Sequence, residues 1–156
     1  MRKAWLAVAA LAIMAGPAAA TTLLPLDVQG LTRDSTSVVV GRVVAATVLD
    51  SQPGVPLTQL TVDIEETLKG GLSGTVVVNN PGFQGAPDLR ASDEAVLFIY
   101  TRDGTHVLTG LQQGSFKIVS DGRGGKQLER GIPSKDKSTA GSRSVDALIT
   151  EILSAE

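Results

Sequence analysis

Ser37-Val38-Val39-Val40-Gly41-Arg42-Val43-Val44-Ala45-Ala46-Thr47-Val48-Leu49 reads as one long β-strand, and the rest of the fold is built outward from it. Valine is stiff at its first side-chain torsion and packs well on a pleated surface, so a run this rich in it favours extended backbone. Gly41 interrupts the valines. A glycine inside a strand pattern marks a bulge or a corner, and a long strand that bends is what a sheet needs to curl toward closure. Further along, Leu60, Val62 and Ile64 alternate with Thr61, Asp63 and Glu65, the period-two signature of a strand with one buried and one wet face, predicted over residues 58–68. Val76-Val77-Val78 lies in a third strand, residues 74–79. Ala95 to Tyr100 is apolar without a break, which predicts a strand at residues 95–101 covered on both sides. Shorter strands are expected at residues 106–108, 114–119 and 126–130. Turn signals separate them: Gln52-Pro53-Gly54, Lys69-Gly70-Gly71, Asn80-Pro81-Gly82, Asp103-Gly104 and Asp121-Gly122. Strand and turn recur as hairpins do, so the fold class is mainly β, an antiparallel sheet curled into a barrel.

Two helices flank these strands. A short one is expected over residues 26–34, weakened by Gly30. The clearer one follows Ser144, an N-cap residue, and places Val145, Leu148, Ile149, Ile152 and Leu153 on one face. Helices this short are marginal alone in water, so it must dock on the barrel. Residues 131–143 are polar and carry glycine and proline, as a linker does.

The first twenty residues read differently. Arg2 and Lys3 precede an apolar run from Ala4 to Ala15, and Ala18-Ala19-Ala20 supplies small residues for cleavage, the anatomy of a secretory signal peptide. Gly16 and Pro17 end the run short of a bilayer span. The expected organisation is therefore a signal peptide at 1–20 cleaved after Ala20, a barrel domain at 21–130, a linker at 131–143 and a docked helix at 144–156. The expected location is secreted or periplasmic, with no stable membrane insertion after cleavage.

Without the leader, residues 21–156 keep twelve basic residues against sixteen acidic ones, a net charge of −4. The basic residues are scattered from Arg33 to Arg143, so the electrostatic footprint of a nucleic-acid binder is missing. The chain has no cysteine. That excludes a disulfide framework, thiolate metal sites and thiol catalysis.

Little else points to chemistry. His106 is the single histidine, and general-base or metal-ligand duty requires partners that no pattern supplies. Ser134 and Lys137 match a Ser-x-x-Lys spacing without the companion motifs of the serine enzymes that use it. The glycines around Lys126 lack phosphate-loop spacing. Asp63 and Glu65 point the same way from one strand, as a carboxylate pair for glycoside hydrolysis would, but the alternation of that strand already accounts for both. Of the aromatic residues after the leader, Phe98, Tyr100 and Phe116 fall in strands and are expected in the core, and Phe83 does not. No catalytic, metal or cofactor-binding residue is predicted.

Ser37-Val38-Val39-Val40-Gly41-Arg42-Val43, followed by Glu66-Thr67-Leu68-Lys69-Gly70, resembles the opening strand and the strand-ending turn of netrin-like domains and tissue inhibitors of metalloproteinases. Asp93-Glu94 leading into Val96-Leu97-Phe98 is similar to a later strand of that layout, and Gly110-Leu111-Gln112-Gln113-Gly114-Ser115-Phe116 to an element of secreted bacterial proteins that share it. The resemblance marks Gly41, Leu68, Lys69, Gly70, Gly110, Gly114 and Phe116 as structural positions. It implies a five-stranded OB-like barrel with flanking helices. In the metalloproteinase inhibitors an N-terminal cysteine chelates the target's zinc, and this chain has none to do so. The expected function is a non-enzymatic binding module for another exported protein or an envelope component. The alternatives are a secreted protease inhibitor acting by surface occlusion and a hydrolase using Asp63, Glu65 and Asp88.

Overall fold

The computed structural model describes residues 26–49, 57–81, 89–111, 113–130 and 143–155. Its elements in chain order are α1 (Val28–Asp34), β1 (Ser37–Leu49), β2 (Leu57–Lys69), β3 (Thr75–Pro81), β4 (Glu94–Arg102), β5 (Thr105–Leu108), β6 (Ser115–Ser120), β7 (Lys126–Glu129) and α2 (Val145–Ser154). Among the described residues the fold is mainly β, with a closed five-stranded barrel and two helices. The expected leader, most of the expected linker, Phe83 and Asp88 lie outside the described residues.

The barrel closes because β1 is long enough to pair on both sides. One edge runs antiparallel along β2 from Val38↔Lys69 to Leu49↔Leu57, and residues 37–42 of the other edge pair with β4. β2 pairs with β3, β3 with β5 and β5 with β4, completing the ring β1-β2-β3-β5-β4. That order suits an OB-like barrel. One pairing departs from the antiparallel expectation: β3 and β5 run parallel through Val78↔His106 and Asn79↔Val107. The reason is topological, because β4 and β5 form a hairpin and the strand that closes the ring from that hairpin arrives beside β3 in the same direction.

The apolar runs sort into two cores. Val39, Val43, Leu60, Val62, Val78, Ala95, Leu97, Ile99 and Leu108 fill the barrel interior, joined by Leu89 from the β3–β4 connection. Val38, Val40, Val96, Phe98, Phe116, Ile118 and Leu128 face outward under the two helices, meeting Val28 and Leu31 of α1 and Leu148 and Ile152 of α2. β1 and β4 therefore lie between both cores. This is why Val38-Val39-Val40 and Ala95–Ile99 are apolar without alternation. Phe98 and Phe116 stack tilted at 5.7 Å between centroids, and the Arg130 guanidinium sits 4.7 Å above the Phe116 ring. Tyr100, expected in the core, is 44 % exposed, because on β4 it alternates with the inward Ile99 at the end the helices do not cover.

The structural glycines act by close approach. At Gly41, where the β1–β2 register shifts, an added Cβ would stand 2.7 Å from Val62 Cγ1 and 2.8 Å from the Asp63 carbonyl oxygen. At Gly114 it would stand 2.7 Å from the Thr109 carbonyl oxygen, in the segment where β4 changes partner. There Phe98 donates its amide to Gly114 and accepts from Thr109, as the β4 neighbour passes from β6 to β5.

Each helix is fixed at its ends. α1 begins at Val28 rather than Leu26, because the Asp27 side chain caps it by accepting from the Gly30 amide at 2.7 Å. Lys69, in the turn that resembles the netrin-like one, donates to the Thr32 carbonyl at 2.7 Å and satisfies an orphan acceptor in the last turn of α1. Ser144 caps α2 as expected. Leu148 and Ile152 are buried, Val145 and Ile149 pack against the same core, and Leu153 is turned out at 54 % exposure. The segment entering α2 is tied to the sheet, since Leu128 donates its amide to the Arg143 carbonyl and Arg143 pairs with Glu151.

Candidate functional site

Where α2 meets the outer barrel wall the contact is incomplete, leaving a groove of about 500 Å³. Its floor is apolar: Val40 of β1, Ile118 of β6, and Val145 and Ile149 of α2. The backbone of Gly124 and Gly125, in the β6–β7 turn, forms one wall. Asp121 shapes that turn by accepting from the Arg123 amide at 2.7 Å and the Gly125 amide at 2.8 Å through one carboxylate oxygen. A side chain at position 125 would collide with this carboxylate.

Among the described lining residues, four carboxylates, Glu65, Glu66, Glu94 and Asp146, rim the groove, with Lys126 as the single cation. Lys126 Nζ bonds both oxygens of Glu94, at 2.7 and 3.0 Å. Arg42 reaches Glu65 at 3.2 Å and Glu94 at 3.7 Å, so Glu65, Arg42, Glu94 and Lys126 form a chain of alternating sign across the wall. Arg42 and Lys126 are about half-exposed, and such a surface network organises the groove more than it stabilises the fold. Glu66 and Asp146 have no ion-pair partner among the described residues. The groove therefore keeps a negative surplus over an apolar base.

The other candidates from the sequence that fall among the described residues do not converge. Asp63 and Glu65 are exposed on β2 as the alternation requires, but Asp63 accepts from the Thr75 hydroxyl at 3.0 Å, and only Glu65 reaches the groove. His106 Nδ1 lies 2.8 Å from the Thr101 hydroxyl, its cross-strand neighbour in the β4–β5 hairpin. That pair lies away from the groove. No cluster of three or more His, Asp or Glu side chains able to hold a metal ion occurs among the described residues. None of their helices is long and apolar enough to cross a membrane.

Asp93 lies one residue before Glu94. Burial works against its charged form, but the Arg90 amide and Lys117, 2.9 Å away, outweigh that and hold its carboxyl below the ordinary value of 3.8. It anchors the start of β4 and with it the placement of Glu94.

Sequence reasoning missed the groove because its members come from β1, β2, β4, β6, the β6–β7 turn, β7 and α2. Of its residues, only Glu65 is weighed from the sequence as a candidate for catalysis, as half of a carboxylate pair with Asp63. No known protein-family model matches this chain, and no characterised protein matches it in sequence.

Proposed function

We propose that this chain is an exported, non-enzymatic binding module of netrin-like descent, and that the groove between α2 and the barrel is where it takes its partner. The groove is the observation that carries the reading. Its volume falls in the range of pockets that hold a ligand group. An apolar floor rimmed by carboxylates complements an alkyl stem ending in a cation, so the group that fits is an exposed lysine or arginine side chain of a partner protein. The leader-like sequence of residues 1–20 supports export, and the five-strand ring order supports the netrin-like kinship.

Of the residues expected of a hydrolase, Asp88 lies outside the described residues and the other two are engaged with neighbours. Asp63 accepts from the Thr75 hydroxyl and Glu65 from Arg42, and among the described residues neither is paired with a nucleophile or an acid–base partner.

A lysine-rich heptapeptide provides the probe. Calorimetric titration into the wild-type protein is expected to give saturable, salt-sensitive binding, weakened at least tenfold by Glu66→Lys with Asp146→Lys. Equal binding by both proteins, or none by the wild type at millimolar peptide, overturns the proposal.

A further inference from the structure

We propose that Lys126 is a built-in competitor for the groove: its ammonium holds Glu94 where a partner's cation would be received, so a partner binds by displacing it. The inference rests on the groove being the cation site, and it names what regulates the affinity of that site.

The strand register shows how Lys126 comes to lie there. Glu94 on β4 pairs with Ile118 on β6, and Ile118 pairs with Leu128 on β7. Lys126 precedes Leu128 by two residues, so both project toward the helix-covered face of the sheet. β6 stands between Lys126 and Glu94. The bonds of 2.7 and 3.0 Å from Nζ to the two Glu94 oxygens therefore require the lysine stem to cross β6. That strand carries Ile118, part of the apolar floor. An alkyl stem over an apolar floor, ending in a cation on a carboxylate, is the same group that the groove suits in a partner.

The two ends of this bond are unequally placed. The Glu94 side chain is only 17 % exposed, whereas that of Lys126 is 59 % exposed. Glu94 is fixed by ladders on both sides, opposite Arg42 of β1 and Ile118 of β6. Lys126 is anchored through its backbone, by pairing with Ser120 beside the turn that Asp121 shapes. Its long side chain can turn out into water. On displacement an ammonium already half in solvent returns to it, and Glu94, still 3.7 Å from Arg42, exchanges one cation for another. An ion pair this exposed is weak enough to be displaced. It still lowers affinity, because a ligand that needs Glu94 open binds in proportion to the fraction of molecules in which it is open.

Calorimetric titration with the lysine-rich heptapeptide tests the competition. Lys126→Met keeps most of the stem and removes the ammonium, and is expected to tighten binding about fivefold, the scale of an exposed ion pair. Arg123→Met removes the same charge from an exposed position in the neighbouring turn, outside the groove lining, and is expected to change affinity by less than about twofold. Lys126→Arg keeps both the charge and the grip on Glu94, and is expected to bind no more tightly than wild type. In a Glu94→Gln background there is no carboxylate to compete for, so Lys126→Met is expected to gain no more than Arg123→Met does. Melting curves verify that each variant is folded at the titration temperature. A wild type that binds while Lys126→Met binds no more tightly, a gain matched by Arg123→Met, or a gain undiminished without Glu94 overturns this inference and leaves the role of the groove standing. Absence of binding by wild type and Lys126→Met alike overturns both.

Discussion

Replacing Gly41 with alanine tests the close approach on which the bend of β1 depends. The added methyl would stand 2.7 Å from Val62 Cγ1, about 1 Å inside the separation carbon atoms prefer. Val62 is fully buried in the barrel interior, so it can retreat only by displacing other core side chains. The second contact, 2.8 Å to the Asp63 carbonyl oxygen, is backbone within the β1–β2 ladder. Overpacking of this kind costs about 1–3 kcal/mol. The substitution also stiffens the unfolded chain, which returns about 0.4–1 kcal/mol, so the net loss is about 1–2 kcal/mol. That corresponds to a fall in melting temperature of roughly 3–8 °C for a chain of this size. Gly71→Ala is the internal control: nothing lies within 4 Å of its added Cβ and its φ is not left-handed, so it is expected to stabilise by about 0.4–1 kcal/mol. Urea melts of both variants give the comparison. In a Val62→Ala background the contact with Cγ1 is gone while that with the Asp63 carbonyl oxygen remains, so the cost of Gly41→Ala is expected to fall without vanishing. A Gly41→Ala variant as stable as the wild type, or one whose cost is unchanged by Val62→Ala, would refute the reasoning.

Other consequences follow from the same contacts. Leu148→Ala leaves a hole in the outer core beneath α2 and is expected to cost about 2–5 kcal/mol, read in a single cooperative urea transition; a separate low-denaturant transition would show α2 to be an appendage. Lys69→Met keeps the alkyl stem but removes the donor to the Thr32 carbonyl, with an expected loss of about 1–2 kcal/mol and faster amide exchange in α1. The folded-state pKa of Asp93 is lowered, so its contribution is fully present above about 3.8 and is lost as pH falls through the depressed value. Asp93→Asn is therefore expected to be less stable than wild type at pH 6, with the gap narrowing below pH 4; a gap constant down to pH 2 would contradict this.

The sequence exposed the elements well because their signals are local. The unbroken apolar run from Ala95 to Tyr100 predicted a strand covered on both sides, and β4 lies between the two cores, with only Tyr100 escaping at its uncovered end. Alternation at Leu60, Val62 and Ile64 located β2 and the exposed acids on it. Ser144 located the start of α2. The parallel β3–β5 contact left no trace because it rests on two residue pairs whose neighbours in sequence are occupied with hairpin pairing. Leu89 enters the inner core from a connection with no periodicity to read. The groove was illegible for the same reason: Glu66, Glu94, Lys126 and Asp146 are brought together only by ring closure and helix docking, and each looks like ordinary surface charge in its own segment.

The central functional claim is that the groove between α2 and the barrel receives a cationic side chain. Backbone amide mapping by NMR during titration with the lysine-rich heptapeptide tests it most directly. The account predicts saturating shifts at Gly124, Gly125, Val145 and Asp146 and at Glu66 on the facing wall, with the β4–β5 hairpin around His106 unchanged. Shifts centred on that hairpin, or spread evenly over the acidic surface without saturation, would contradict it.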